Sequence, residues 1–410
     1  MNCYIPSNLD FDRLFPYCRK HKDKYYYFLH KIFEERIFDK RYNKDSFIHL
    51  HSHTLRSITG ERIFYVIRNN LLSREVIEMD HSYSIGEFSK SYRLTDQYRG
   101  VKHRKIKIED EKILQRINKH KLKSINDIPE GSEYEFLFDN LNKIRINHAD
   151  AIQFINENYS GDPDIYNAYR VSIDYIQEKT FFFKVDDIAG RVHTNITNLS
   201  RDLRCFLNHE GKPLINIDIC NSQPFLFNIL IQDFFKAKQP NTSFSFNNNT
   251  LYNNLPYVVQ FPDVMMYESL TSEGKFYEYL MKEAGINYSI ENRAKFKKII
   301  FKKVFYCKNR GNYTYKEAKL FRKLFPHINN IILNFKKDDY KQLAIKLQRA
   351  EADLMINKIC KRISFERPEI FVSTIHDSIL TTEENKDYIC NVIFSEFEKN
   401  YNLEPSIKIE

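Results

Sequence analysis

The sequence predicts a mixed α/β (α+β) fold, and three stretches carry that prediction. Residues 214–227, LINIDICNSQPFLF, begin as a mostly apolar run that ends on one acid, Asp218, and continue as an amphipathic segment bearing Asn221, Ser222 and Gln223. That is how a buried strand delivers a carboxylate to the lip of a sheet. Residues 370–380, IFVSTIHDSIL, repeat the pattern around Asp377 in an otherwise uncharged, β-branched run. Between them, residues 291–307 set Arg293, Lys297, Phe301 and Phe305 four apart, which makes them one stripe of one helix. Two strands, each presenting one aspartate though about 160 residues apart, are what two-metal phosphoryl transfer requires. Each carboxylate holds a divalent ion, and the ions clamp the attacking and leaving oxygens.

Composition sets the bounds. A chain of 410 residues can bury a sizeable core in two or three domains. With 42% hydrophobic and 29% charged residues it is not a disordered chain. Its 63 Lys and Arg against 54 Asp and Glu give a net charge of +9, which favours a polyanionic partner. The excess of Lys, Asn, Ile, Phe and Tyr over Gly and Ala reads as AT-rich coding and carries no functional weight. Seven cysteines are scattered without a C-x-x-C pair, as reduced thiols of a cytosolic protein would be. No secretory pattern and no 18-residue apolar run is present, so the expectation is a soluble, cytoplasmic protein with no membrane partner.

Taken in order, residues 1–50 are basic and aromatic and read as one or two amphipathic helices. His49, His51 and His53 alternate, but no carboxylate or thiol nearby completes a metal shell, and ordinary polar contacts are the reading. Residues 55–72 are helical, and two alternating segments follow, joined around Ile85-Gly86-Glu87 as a hairpin. Helix, helix, hairpin resembles a winged-helix module. Arg68, Arg74, Lys90 and Arg93 could then face phosphates; an interaction or packing domain remains equally open. Residues 101–159 are strongly charged and read as helical, with a break at Gly161-Asp162-Pro163-Asp164 and a further helix to about 178.

The next fifty residues show Gly190-Arg191, Thr194-Asn195, Arg204, a turn at His209-Glu210-Gly211, then Asp218 and Ser222-Gln223. In order and spacing this resembles the palm entry of the DNA polymerase I family (family A). In that family a glutamate usually follows the first aspartate by five residues and crowds the 2′ position of the incoming sugar. Gln223 stands there, which leaves sugar selectivity open. Residues 232–256 are Asn-rich and read as a surface loop or insertion. The stripe of residues 291–307 is similar to the family's fingers helix, which ends in an aromatic and a glycine. Here the last aromatic is Phe305 or Tyr306, and the glycine is absent. Alone, the same stripe also fits a plain basic amphipathic helix. Residues 338–362 read as one unbroken helix, with Gln348, Glu351 and Asp353 where the family's palm helix has Gln, Ala and Asp; a core helix with a polar outer face fits as well. Ile375-His376-Asp377-Ser378 resembles the family's His-Asp-Glu motif, with a serine that single-subunit phage-type RNA polymerases share.

The resemblance covers roughly residues 165–410 and implies a right-hand polymerase with an antiparallel palm sheet and helical fingers and thumb. It divides the chain into an N-terminal, winged-helix-like module (1–100), thumb (101–185), palm (186–254 and 336–410) and fingers (255–335). The implied activity is template-directed DNA polymerisation, without 3′–5′ proofreading, serving DNA replication of a mobile genetic element. The implied cofactor is Mg²⁺, two ions, with Mn²⁺ as a substitute, held by Asp218, Asp377 and the backbone carbonyl of Ile219. Arg293 and Lys297 would take the triphosphate, Phe301 with Phe305 or Tyr306 the base and sugar, and Gln223 the sugar edge. Gln348 and His376 would meet the primer terminus, and Arg191 and Arg204 the nucleic-acid backbone. The partners implied are a DNA primer-template and nucleoside triphosphates. Two alternatives stay open: an RNA polymerase or primase of the same superfamily, favoured by Gln223 and Ser378, and a DNA-binding replication or defence factor with a degenerate palm.

Overall fold

The computed structural model describes residues 1–39, 42–43, 45–80, 82, 90–125, 128–237 and 261–410. The chain forms two compact units. The first comprises residues 1–128, 144–184 and 194–211; the second comprises 129–143, 185–193 and 212–410.

In the first unit, strand Asn2–Pro6 pairs antiparallel with His103–Lys107, in register from Asn2 opposite Lys107 to Pro6 opposite His103. Residues 103–107 are therefore extended, although their charge reads as helical. The His103 ring is stacked on Phe33 at 4.0 Å, and burial drives its pKa down to about 3. Helix Lys22–Phe38 packs into the unit's core, burying Tyr25 to Leu29, Ile32 and Phe33. Helices Ser52–Thr59 and Glu61–Ser73 are divided by Gly60 alone. At φ +97° Gly60 holds a conformation that a side chain would strain. His51 caps the first of these two helices, its Nδ1 accepting from the Thr54 N–H. Strands Ile77–Asp80 and Ser91–Leu94 pair as the sequence predicts, and Ile48–His49 adds to the far edge of Ser91–Leu94. The anticipated tip at Ile85-Gly86-Glu87 lies outside the described residues. The break after residue 160 is a capped helix start: Asp162 accepts from the N–H groups of Asp164 and Ile165, and Pro163 occupies the first turn.

The second unit is built on an antiparallel sheet. Strand Lys212–Ile219 lies between the hairpin of Ser373–Ile375 and Ser378–Thr382 on one side and Ile407–Ile409 on the other. Helix Ser222–Ala237 follows at once and buries Pro224 to Ile231 almost without interruption, so it is a core helix. It takes the first residues of the expected Asn-rich loop; residues 238–260 lie outside the described set. Helices Pro262–Ser272, Phe276–Glu283, Ile290–Ile300, Lys316–Leu324 and Pro326–Phe335 enclose an aromatic core of Tyr267, Phe276, Phe305, Phe321 and Phe325. The predicted helix over 338–362 begins at Gln342 and runs to Glu366, widened to a π turn over Asp353–Cys360. Among the described residues, no helix is long and apolar enough to cross a membrane.

Candidate active site

The register of the second unit's sheet brings the two aspartates together. Asp218 is directly opposite Ser378, the neighbour of Asp377. Paired residues across an antiparallel ladder have Cα atoms about 4.5–5.5 Å apart. Asp377 itself is not inside one long strand, as residues 370–380 read in the sequence. Ile375 pairs with Ser378, leaving His376 and Asp377 as the two residues of a tight turn. His376 takes the left-handed conformation (φ +57°) that closes the turn, and the Ser378 hydroxyl donates to the Ile375 carbonyl at 3.1 Å. Both arms are uncharged and β-branched, so the alternation alone hides the reversal.

Asp218 is pushed up to about 7, first by burial, then by the carboxylates of Asp377 and Glu410; Lys297 and Lys408 pull the other way. Burial first, with like charge second, disfavours the ionised form of Asp218. On the far side of the strand, Asn216 exchanges both backbone hydrogen bonds with Glu410, and the Cys220 N–H donates to Ser406. The ladder alternates, so the N–H and C=O of Ile219 are turned to the hairpin edge, the edge of Asp377.

Helix Ile290–Ile300 begins at Ser289, whose side chain accepts from the Asn292 N–H. Arg293 donates from Nε to Glu278 and from Nη2 to the Asn221 Oδ1 at 3.1 Å, with its guanidinium over the Tyr277 ring. It is thereby fixed three residues beyond Asp218. Lys297, one turn on, is exposed and forms no ion pair among the described residues, yet it acts electrostatically on Asp218.

The stripe then changes register. Residues Phe301–Phe305 form a π turn, closed by the Tyr306 N–H donating to the Phe301 carbonyl at 2.9 Å. One extra residue per turn displaces Phe305 from the stripe. It is fully buried, against Phe227, Phe301 and Phe321, so the expected contact of Phe305 with a nucleotide is corrected: it is a core residue. Tyr306 takes over the outward place, stacked on Phe301 with ring centres 5.4 Å apart. Buried Lys336 secures the turn, donating to the carbonyls of Val304 (3.0 Å) and Cys307 (3.1 Å) and to the Asn312 Oδ1 (2.7 Å).

Tyr306 donates its hydroxyl proton to the Gln223 Oε1, and the Gln223 amide donates in turn to Glu351 at 3.4 Å. The same Glu351 oxygen accepts from Arg191 at 2.7 Å. Arg191, the expected contact to a nucleic-acid backbone, is held in this pair against a carboxylate that is 2% exposed. The turn before it is fixed: the Asp186 side chain accepts from the N–H groups of Ile188, Ala189 and Arg191, and Gly190 bends at φ +72°. Burial pushes Glu351 up to about 7, Arg191 pulls it down, and Asp377 pushes it up again. Sequence reasoning gave Glu351 no role. The signal was present, since Leu343, Leu347, Glu351 and Met355 recur every four residues and an acid on that buried stripe is an anomaly.

Gln348 lies half-buried on the same helix, one turn before Glu351, and the His376 ring is 6.1 Å from that of His193. Arg204 belongs to the first unit, where its Nε donates to the Leu199 carbonyl. A divalent cation fits this donor set in kind: two carboxylates with a carbonyl on their edge are hard oxygen ligands, suited to Mg²⁺ or Mn²⁺. No group of three His, Cys, Asp or Glu side chains with metal-binding geometry occurs among the described residues.

No family model matches the chain. No curated protein matches it. Among solved structures it is similar to the polymerase domain of Pol1 from M. smegmatis in complex with DNA primer-template and dNTP, with 13% identity and a TM-score of 0.41. The likeness covers 72% of this chain and 65% of that one, and at that distance fold and chemistry rest on this chain's own residues.

Proposed function

We propose that this chain is a template-directed DNA polymerase, a nucleotidyltransferase that extends a primer 3′-OH with deoxynucleoside triphosphates. The observation that carries the reading is the pairing of Asp218 with Ser378, which puts two mutually repelling carboxylates beside a helix bearing Arg293 and Lys297. Bound at these carboxylates, Mg²⁺ would lower the pKa of the primer hydroxyl and neutralise the charge that builds at phosphorus.

The rest follows from the chain's own side chains. Lys297 and Arg293 hold the triphosphate by charge, and fixed cations there stabilise the in-line displacement that releases pyrophosphate. Tyr306, backed by Phe301, offers a flat face to the templating pair. Gln223 stands at the sugar: its carbonyl oxygen already accepts from Tyr306 and its amide donates to Glu351, so it presents bulk rather than a free acceptor. Bulk without a free acceptor disfavours a ribose, and that is why deoxynucleotides lead. Gln348 and His376 meet the primer terminus. In this reading the second unit supplies palm and fingers, and the primer-template is the partner.

Extension of a labelled primer by the purified protein, with each nucleotide set, tests the proposal. The expected result is Mg²⁺-dependent incorporation of dNTPs, lost by about a thousandfold or more in Asp377→Ala. Wild-type incorporation by Asp377→Ala would overturn it. Ser378 in place of the family's glutamate favours a second reading, NTP polymerisation, and a preference for NTPs in the same assay would select that one.

A further inference from the structure

The first unit carries a surface that this reading does not use. Its elements run helix Lys22–Phe38, strand Ile48–His49, helices Ser52–Thr59 and Glu61–Ser73, then strands Ile77–Asp80 and Ser91–Leu94, with the last strand in the middle of a three-stranded sheet. That is the order and sheet topology of a winged helix. Helix Glu61–Ser73 buries Phe64, Ile67 and Leu71 and turns Arg62, Tyr65, Val66 and Asn69 to solvent. Tyr65 and Val66 are 40% and 46% exposed, on adjacent positions of the helix.

The charge of the two helices is one-sided. Between residues 52 and 74 stand four arginines and one acid, Glu61, and Arg56 neutralises that acid at 2.7 Å. Arg62 forms no ion pair among the described residues, and Arg68 lies over the Tyr65 ring while donating to Asn69 at 3.0 Å. Arg93, an expected phosphate contact, is committed elsewhere: Glu78 holds it at 2.6 Å and the Phe47 ring lies under it at 4.3 Å. The cations that remain are on the helix, not on the strand beside it.

We propose that Arg62, Tyr65, Val66 and Asn69 form a sequence-reading surface for duplex DNA, with helix Glu61–Ser73 entering the major groove. In helix–turn–helix proteins the early residues of the second helix meet base edges while the first helix crosses the backbone. Arg62 matches the paired acceptors of guanine and Val66 a thymine methyl, and Asn69 matches the acceptor–donor pair of adenine once Arg68 leaves its Oδ1 for a phosphate. Arg68 and Arg74 reach phosphates, which fix register without reading sequence. An apolar partner protein would use Tyr65 and Val66 but would leave the unopposed arginines without counter-charge.

The experiment is selection of the full-length protein on a pool of random-sequence, blunt, short duplexes, followed by titration of the selected duplex and a scrambled one. The wild type should enrich a motif. Arg62→Ala and Asn69→Ala should bind the selected duplex roughly tenfold or more weakly, with the Asn69→Ala loss confined to one base pair. Both variants should melt with the wild type and incorporate nucleotides as it does. Failure to enrich a motif, or an unchanged preference in both variants, overturns the proposal; so does capture of a protein on this face without duplex selectivity. Primer extension is scored separately, so loss of the polymerase reading leaves this one standing.

Discussion

Asp218→Asn should stabilise the metal-free protein while abolishing nucleotide incorporation. The Asp218 carboxyl ionises near pH 7 in the folded chain against 3.8 when unperturbed. Below pH 3.8 it is protonated in both states and costs nothing. As pH rises through the window from 3.8 to about 7 the unfolded chain gives up the proton first, so stability falls, and above pH 7 the full deficit is present. At about 1.36 kcal/mol for each pH unit of that window, the ceiling is about 4 kcal/mol. Asp218 retains some contact with water, and halving for screening leaves about 2 kcal/mol. For a unit of about 220 residues this is a rise in Tm of about 4–8 °C for the asparagine variant. The assay is thermal melting of wild type and Asp218→Asn at pH 8 and pH 5, with a chelator and then with Mg²⁺. The advantage of the variant should be largest at pH 8 with chelator and shrink at pH 5. Mg²⁺ at about a hundred times its dissociation constant should restore about 2.7 kcal/mol to the wild type alone. A variant that melts at or below the wild type at pH 8 without metal would refute the reasoning, since the carboxylate would then be favourably paired rather than crowded.

Phe305→Ala should cost about 3–5 kcal/mol of stability by emptying a core site, whereas Tyr306→Ala, at a partly exposed position, should cost less and lose incorporation; equal melting of the two would contradict the π-turn register. Lys336→Ala strips donors from the Val304 and Cys307 carbonyls and the Asn312 amide, at about 2–4 kcal/mol, with faster amide hydrogen exchange over residues 301–314 as the local readout. Gln223→Ala removes the bulk at the sugar edge, and the ratio of dNTP to NTP incorporation should fall by about tenfold or more while the dNTP rate changes less.

Much of the site was legible because its signals are exceptions to burial. Asp218 closes an apolar run, and a lone acid there has few structural excuses. The helix start at Asp162-Pro163 and the Ser289 cap are read directly from side-chain chemistry. What could not be read depends on distant pairing or on backbone register. Residues 103–107 are extended because Asn2–Pro6, about a hundred residues earlier, offers them a partner. The reversal at His376-Asp377 uses no glycine or asparagine, and Asp377 with Ser378 is only a weak turn signal inside an apolar run. Phe305 and Tyr306 are adjacent aromatics, and four-residue spacing selects the wrong one because it assumes an unbroken α-helical period. The Arg191–Glu351 pair joins residues 160 apart whose types alone would send both to solvent.

In the proposed reaction, the distribution of charge around Asp218 decides which cation a triphosphate would meet first. Arg293 is bound to Glu278 and Asn221, Arg191 to Glu351, and Lys408 to Glu410 at 2.6 Å. Each of these cations is held in place by a group that already absorbs part of its charge. Lys297 is different: it is exposed, has no ion-pair partner among the described residues, and projects from the helix that also carries Arg293. An incoming polyanion therefore gains most from Lys297, while Arg293 supplies orientation through its two fixed donors. Lys297→Met should accordingly raise the KM for nucleotide more than it lowers kcat, and Arg293→Lys, which keeps charge but loses the fork, should do the reverse. Equal effects of both substitutions on KM and kcat would mean that the stripe acts only as undifferentiated positive charge.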